Sequence, residues 1–263
     1  AEFRAQLDQF EAEYTAVRAG LSRSDSTAFD AAEALHAFRR KALLANPLLD
    51  FDDLLLVRRG ELSPALGLPA NWQGNCSLPP GNYNNDIAVL SMRDLGTPLR
   101  TLYRPPDGRF AGDVDLHFDA DRILFSMPDE GRRWQIWEIG VDGGNLRQVT
   151  PGDDADVNNY DACYLPDERI IYGSTACYIG IPCVFGSDQV ANLCIINPDG
   201  TGLRQICFDQ DHNWCPVVLN NGRVLYQRWE YTDLPHSNTR LLFHMNPDGT
   251  GQMAYFGNMH PTG

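Results

Sequence analysis

Two histidines and several carboxylates gather late in the chain. Asp209, Asp211, His212 and Cys215 form one run, and Glu230, Tyr231, Asp233 and His236 form the next. Imidazole and carboxylate together suit zinc or another first-row metal, so His212 and His236 are the expected ligands of a divalent metal. Asp161, Asp209, Asp211, Glu230, Tyr231 and Asp233 join these histidines as the expected ligand-binding residues. Asp153, Asp154, Asp156 and Asn159 form an oxygen-rich run of the kind that suits calcium. Neither group has a fixed-spacing signature such as H-E-x-x-H or an EF-hand loop. The same residue types also cap strand ends and bond local backbone, and that reading stands beside the ligand reading.

Other chemistries are excluded by motif. The chain has no C-x-x-C-H for haem attachment, no G-x-S-x-G elbow, no P-loop and no G-x-G-x-x-G after a strand. Apart from the divalent metal, no cofactor is expected within it. Of its seven cysteines, Cys163, Cys177, Cys183, Cys194 and Cys207 fall within the single stretch 163–207. Cys177 and Cys183 bracket a short loop expected to be exposed and are expected to pair as a disulfide in an oxidising, exported location, periplasmic or extracellular. Cys163, Cys194 and Cys207 sit in strand-like runs, where a cysteine serves as a small hydrophobe.

The elements that position these residues repeat. Arg122-Ile123-Leu124-Phe125 leads through Ile136-Trp137-Glu138-Ile139 to Asp142-Gly143 and Leu146-Arg147-Gln148-Val149. The pattern recurs from Arg169 to Ile206 and from Arg223 to Gly251, at a period of roughly 50 residues, a length typical of propeller blades. Each repeat reads as four short antiparallel strands joined by Gly, Pro, Asp and Asn turns. Such a unit has two apolar faces and buries both only by stacking on its copies. A degenerate first blade is expected from Leu54-Leu55-Leu56-Val57, Ile87–Ser91 and Leu99–Leu102. The fold expected is therefore an all-β propeller of about four blades over 48–263, in an incomplete ring or part of a longer protein. A helical lead-in over 1–47 precedes it.

In a four-stranded blade the first-to-second and third-to-fourth turns lie on one face. The second-to-third connection and the crossover to the next blade lie on the other. The irregular polar loops, 152–159, 174–189, 209–212 and 229–236, all belong to the second face, where binding is expected. Phe3, Leu7, Phe10, Tyr14 and Val17 recur at helical spacing, and a second helix is expected after Asp25-Ser26-Thr27, ending at Asn46-Pro47. A formal charge of −14 excludes a basic stripe for nucleic acid, and no run approaches a membrane span. No leader pattern stands at Ala1, so a signal peptide is expected to have been removed or to lie outside this sequence.

The hairpin Asn197-Pro198-Asp199-Gly200-Thr201-Gly202-Leu203-Arg204-Gln205 and the Pro166-Asp167-Glu168 turn resemble those of TolB-like (PD40) propellers. Ala42–Asp52, Asn71–Cys76, Asn159–Pro166, Phe208–Pro216 and Arg228–His236 resemble the middle domain of hydrazine synthase alpha subunits and their homologues in large exported bacterial proteins. The resemblance implies an exported propeller domain serving as a binding scaffold, joined to further blades and to a cytochrome-like or other domain. It also implies an alternative, in which the chain contributes loops to a multihaem redox enzyme whose haem another segment supplies.

Overall fold

The computed structural model describes residues 2–64, 78–181, 184–230 and 240–256. The chain divides into two compact units, Ala1–Leu54 with Leu90–Pro98, and Leu55–Val89 with Leu99–Gly263. The expected boundary at residue 47 falls inside the first.

The first unit is built on a helical hairpin, α1 (Glu2–Leu21) and α2 (Ser26–Leu44). Asp25 starts α2 by accepting from the Thr27 N–H at 3.0 Å and the Thr27 hydroxyl at 2.7 Å. Gly20 permits the close crossing, since a Cβ there would lie 2.6 Å from that of Ala28. Phe38 packs between Phe3 and Phe10, with ring centroids 6.1 and 5.2 Å away. Asn46 accepts from the Leu48 N–H and turns the chain out of α2 at Pro47, as the sequence predicts.

Strands β1 (Asp53–Arg59), β2 (Asn85–Ser91) and β3 (Arg100–Tyr103) form a three-stranded sheet in that order, the degenerate first blade. Three four-stranded meanders follow. Blade two is β4 (Gly112–Leu116), β5 (Arg122–Pro128), β6 (Trp134–Gly140) and β7 (Arg147–Gln148). Blade three is β8 (Asn159–Tyr164), β9 (Ile170–Ser174), β10 (Asn192–Ile196) and β11 (Arg204–Gln205). Blade four is β12 (Asn213–Val218), β13 (Val224–Arg228), β14 (Leu241–Met245) and β15 (Met253–Phe256). Pairing within each meander is antiparallel throughout.

Local chemistry explains the repetition. Asp199 and Asp248 each accept the N–H, at 3.0 Å, and the hydroxyl, at 2.7 Å, of the threonine two residues on. Gly200 and Gly249 take φ of +83° and +89° there, which a side chain would strain. Alternation along the strands then sends neighbouring residues to opposite blade joints. Ile170 and Tyr172 meet Leu124 and Ile136 of blade two, whereas Ile171 meets Val224 and Tyr226 of blade four. An aromatic cluster including Tyr83, Phe110, Trp134, Tyr160, Trp214 and Trp229 is buried across the blades.

Candidate functional site on the inner strands

The first strand of each complete blade, β4, β8 and β12, carries a bulge at the same place. Register shifts between Gly112 and Asp115, between Tyr160 and Cys163, and between Trp214 and Val217. The residue after the first position of each shift has a left-handed backbone: Asp113 at φ +51°, Asp161 at +54° and Cys215 at +50°. Aspartate tolerates this region better than most residues; cysteine has no such preference. Each such residue stores roughly 1–3 kcal/mol, and such strain concentrates at functional sites.

The bulges turn these side chains toward one another. β8 packs against both β4 and β12, and the Cys215 thiol donates to Asp161 Oδ2 at 3.6 Å. Cys215 keeps an exposed surface but is walled by protein. Burial first, then the charges of Asp161 and Asp113, push its thiol far above the ordinary range. It is therefore a neutral donor at physiological pH, not a thiolate nucleophile. Asp161 is anchored by its N–H, which donates to Ser126 Oγ of blade two at 3.1 Å.

Arg59, at the end of β1, completes the group. Its guanidinium lies over the Phe110 ring, 4.9 Å from the centroid, and feels the charge of Asp113. Burial lowers its pKa, with Asp113 and then Tyr83 opposing. Gly112 makes the approach possible, since a Cβ there would meet Phe110 at 2.5 Å and Arg59 Nη2 at 2.7 Å. Two carboxylates, one guanidinium and one thiol leave a net negative site, able to hold a donor or cationic group.

The other expected site residues go elsewhere. Asp209 pairs with Arg228 at 2.6 Å, accepts from Asn213 Nδ2 at 2.9 Å, and offers its carbonyl to Asn192 Nδ2 at 2.9 Å. Glu230 faces Arg228 Nε at 3.0 Å. These two carboxylates thus serve a joint between blades. Asp211 and His212 are buried. The His212 ring stacks on Trp214 at 4.3 Å, and its Nδ1 accepts from the Ala191 N–H at 3.0 Å. Tyr231, Asp233 and His236 lie outside the described residues, so the expected His212–His236 metal pair has only one member among them. Among the described residues no group of three or more His, Cys, Asp or Glu is arranged to hold a metal.

Cys183 also lies outside the described residues. Its expected partner Cys177 carries a free, half-buried thiol that donates to the Val190 carbonyl at 3.2 Å. Cys163, Cys194 and Cys207 are buried on or beside strands as small hydrophobes, and all five described cysteines are free. Sequence reading singled out Asp161 but missed Asp113 and Arg59. Aligning Ala111-Gly112-Asp113 on Asn159-Tyr160-Asp161 and Asn213-Trp214-Cys215 would have found the first.

The elements and their order define a β-propeller array. No protein-family model matches the sequence, and no curated protein matches it. Solved structures do match in fold. Hydrazine synthase of Kuenenia stuttgartiensis superposes with a TM-score of 0.59 at 16% identity, over 79% of this chain and 32% of that one. A TolB-type protein from Agrobacterium tumefaciens gives 0.52 at 16% identity, over 65% of this chain and 56% of that one. A puromycin-hydrolyzing peptidase of Mycobacterium tuberculosis gives 0.52 at 12% identity, over 80% and 30%. The fold is thus similar to that of TolB and of hydrazine synthase, as the repeats led one to expect. The chain spans between 30% and 56% of the lengths of these proteins. Among the described residues no helix is long and apolar enough to cross a membrane.

Proposed function

We propose that this chain is a binding scaffold, the propeller part of an exported protein, and that its inner-strand site receives a cationic or hydrogen-bond-donating group of a small ligand or partner. The observation that carries the reading is the recurrence of a left-handed bulge residue at one register in three blades, Asp113, Asp161 and Cys215. Turn chemistry does not require it, because the bulges lie within strands. The neutral thiol and the acidic surroundings favour recognition over nucleophilic catalysis. Export rests on the cysteine count and on the resemblance of the sequence to exported propeller proteins; fractionation of cells making the full-length protein tests it. Further domains, cytochrome-like or otherwise, belong to the same reading.

Calorimetric titration with a polyamine such as spermidine tests the site. Asp113→Asn with Asp161→Asn removes both charges while keeping a residue that accepts the left-handed conformation. Saturable binding to the parent protein, lost in the double variant and kept in Glu130→Gln, is the expected result. Equal binding by parent and double variant sinks the reading.

A further inference from the structure

Between blades two and three lies a cavity of about 120 Å³, lined by Gln135, Asn159, Ser174, Tyr178 and the Gly152–Asp154 crossover. At a liquid share of about 30 Å³ per molecule, it holds roughly four waters, or one edge of a small polar ring. Gln135 forms its floor and is 1% exposed. The Gln135 oxygen accepts from Thr150 Oγ1 at 2.7 Å and from Asn159 Nδ2 at 3.0 Å, which fixes the orientation of the amide. Its nitrogen, with two N–H donors, has no hydrogen-bond partner among the described residues and borders the cavity.

The other two joints treat this position differently. In the repeats Gln135 corresponds to Asn192, since each lies seven residues before the aspartate of the Asp-Gly turn. Asn192 Nδ2 donates to the crossover carbonyl of Asp209 at 2.9 Å; in the first blade a differently spaced residue, Asn85 at the start of β2, likewise gives its Nδ2 to the crossover carbonyl of Arg109 at 3.0 Å. Only at Gln135 is the amide nitrogen left open. The nitrogen keeps accessible surface on the cavity, so its two donors are free to meet an acceptor there.

The rim defines that acceptor. Asp153 and Asp154 line the cavity, and Asp154 is held in place by the Tyr178 hydroxyl. The Tyr178 ring is 61% exposed beside it. An anionic ligand would be repelled. A hydroxyl, by contrast, accepts from the amide and donates to a carboxylate, and the exposed ring offers a flat apolar surface. The geometry points to a saccharide site: Gln135 Nε2 donates to one hydroxyl, an aspartate accepts from its neighbour, and Tyr178 covers the ring. This site goes beyond the inner-strand reading and is independent of it.

Calorimetry or ligand-observed NMR on the full chain, with methyl glucoside, glucosamine and glucuronate as probes, tests the assignment. The neutral or amino sugar should bind saturably and glucuronate more weakly. Gln135→Met should weaken binding by about tenfold, the loss of one buried hydrogen bond. Tyr178→Ala, at an exposed position that does not endanger folding, should weaken it too. The Asp113→Asn, Asp161→Asn double variant should leave it unchanged. Absence of saturable binding by all three probes overturns the assignment, as does binding untouched by Tyr178→Ala or lost in the inner-strand variant.

Discussion

Blades two and three meet through carboxylate and amide oxygens and the more exposed Arg122–Glu168 pair at 2.8 Å, whereas blades three and four meet through sulfur and the largely buried Asp209–Arg228 pair at 2.6 Å. At the first joint Asp115 Oδ2 accepts the Tyr164 N–H at 2.9 Å; at the matching place in the second stands the buried Cys163. Thr150 bonds Gln135 at the first joint, and its counterpart Cys207 lies against Met245 Sδ at 3.8 Å. At the top of the second joint Asp209 and Arg228 pair at 2.6 Å, while at the first the amide of Gln135 opens on a cavity. The four-stranded repeat is shared, so the difference lies in the side chains at these positions and in the loop after β9, which brings Tyr178 to the first joint. A joint sealed by complementary charge and soft sulfur is a structural contact; one floored by an open donor is available for recognition.

The largest effect should come from breaking the seal. Arg228 and Asp209 are only 20% and 16% exposed, so Arg228→Met leaves a largely buried carboxylate without its cation. Removing one partner of a buried pair costs about 3 kcal/mol or somewhat more. Urea unfolding should show that loss, and a change within a few tenths of a kcal/mol would mean that the joint is not sealed by charge.

Matched glycine substitutions compare how tightly the joints close. A Cβ on Gly249 would lie 2.7 Å from the Ile206 carbonyl oxygen, and one on Gly200 3.3 Å from that of Val149. Both positions carry the strain of positive φ, so the difference reports the contact. Gly249→Ala should cost about 2 kcal/mol and Gly200→Ala about 1 kcal/mol. The reverse order would place the tighter joint between blades two and three.

The oxygen joint should respond to pH. Burial raises the Asp115 carboxyl above its ordinary 3.8, against the smaller lowering effects of the Tyr164 N–H and His117. The folded state therefore holds this proton more tightly than the unfolded one. Its contribution to stability is present below 3.8 and is lost as pH rises from there through the folded pKa. Asp115→Asn keeps the acceptor and removes the titration, so it should stabilise the protein at neutral pH, with the advantage shrinking in acid. Unfolding curves that give the same difference at both pH values would contradict this.

How far this contrast could be read in advance follows from the kinds of interaction involved. Strands, turns and blade order were legible because they depend on local alternation and on the Asp-Gly turns, which stand in the sequence as written. Asp161 was legible as a polar residue in a strand. Its convergence with Asp113 was not, because the bulge that aims both is a register property visible only once strands pair. Asp209 and Glu230 read as ligands because nothing in the sequence shows that Arg228, two residues before Glu230 and one hairpin beyond Asp209, turns toward both. His212 read as a ligand because tryptophans at 214 and 229 gave no sign that they would pack around it. The open amide of Gln135 was invisible, since a missing partner leaves no trace in a chain of letters.

The smallest effect belongs to the thiols. Burial, the largest cause in each, pushes Cys194 and Cys207 up to about 12, so at neutral pH their reactive thiolates are scarce. In the native protein a disulfide reagent should modify the free, half-buried Cys177 before either of them. Peptide mapping without reduction tests the Cys177–Cys183 pairing expected from the sequence in the same experiment. Cys207 lies in the sulfur joint and Cys194 in the core of the oxygen joint, so their relative rates report which joint opens more often. With Arg228 intact, Cys207 should label no faster than Cys194. In Arg228→Met it should label faster, because the charge pair that closes its joint is gone. Faster labelling of Cys207 in the parent protein would invert the comparison and make the sulfur joint the looser of the two.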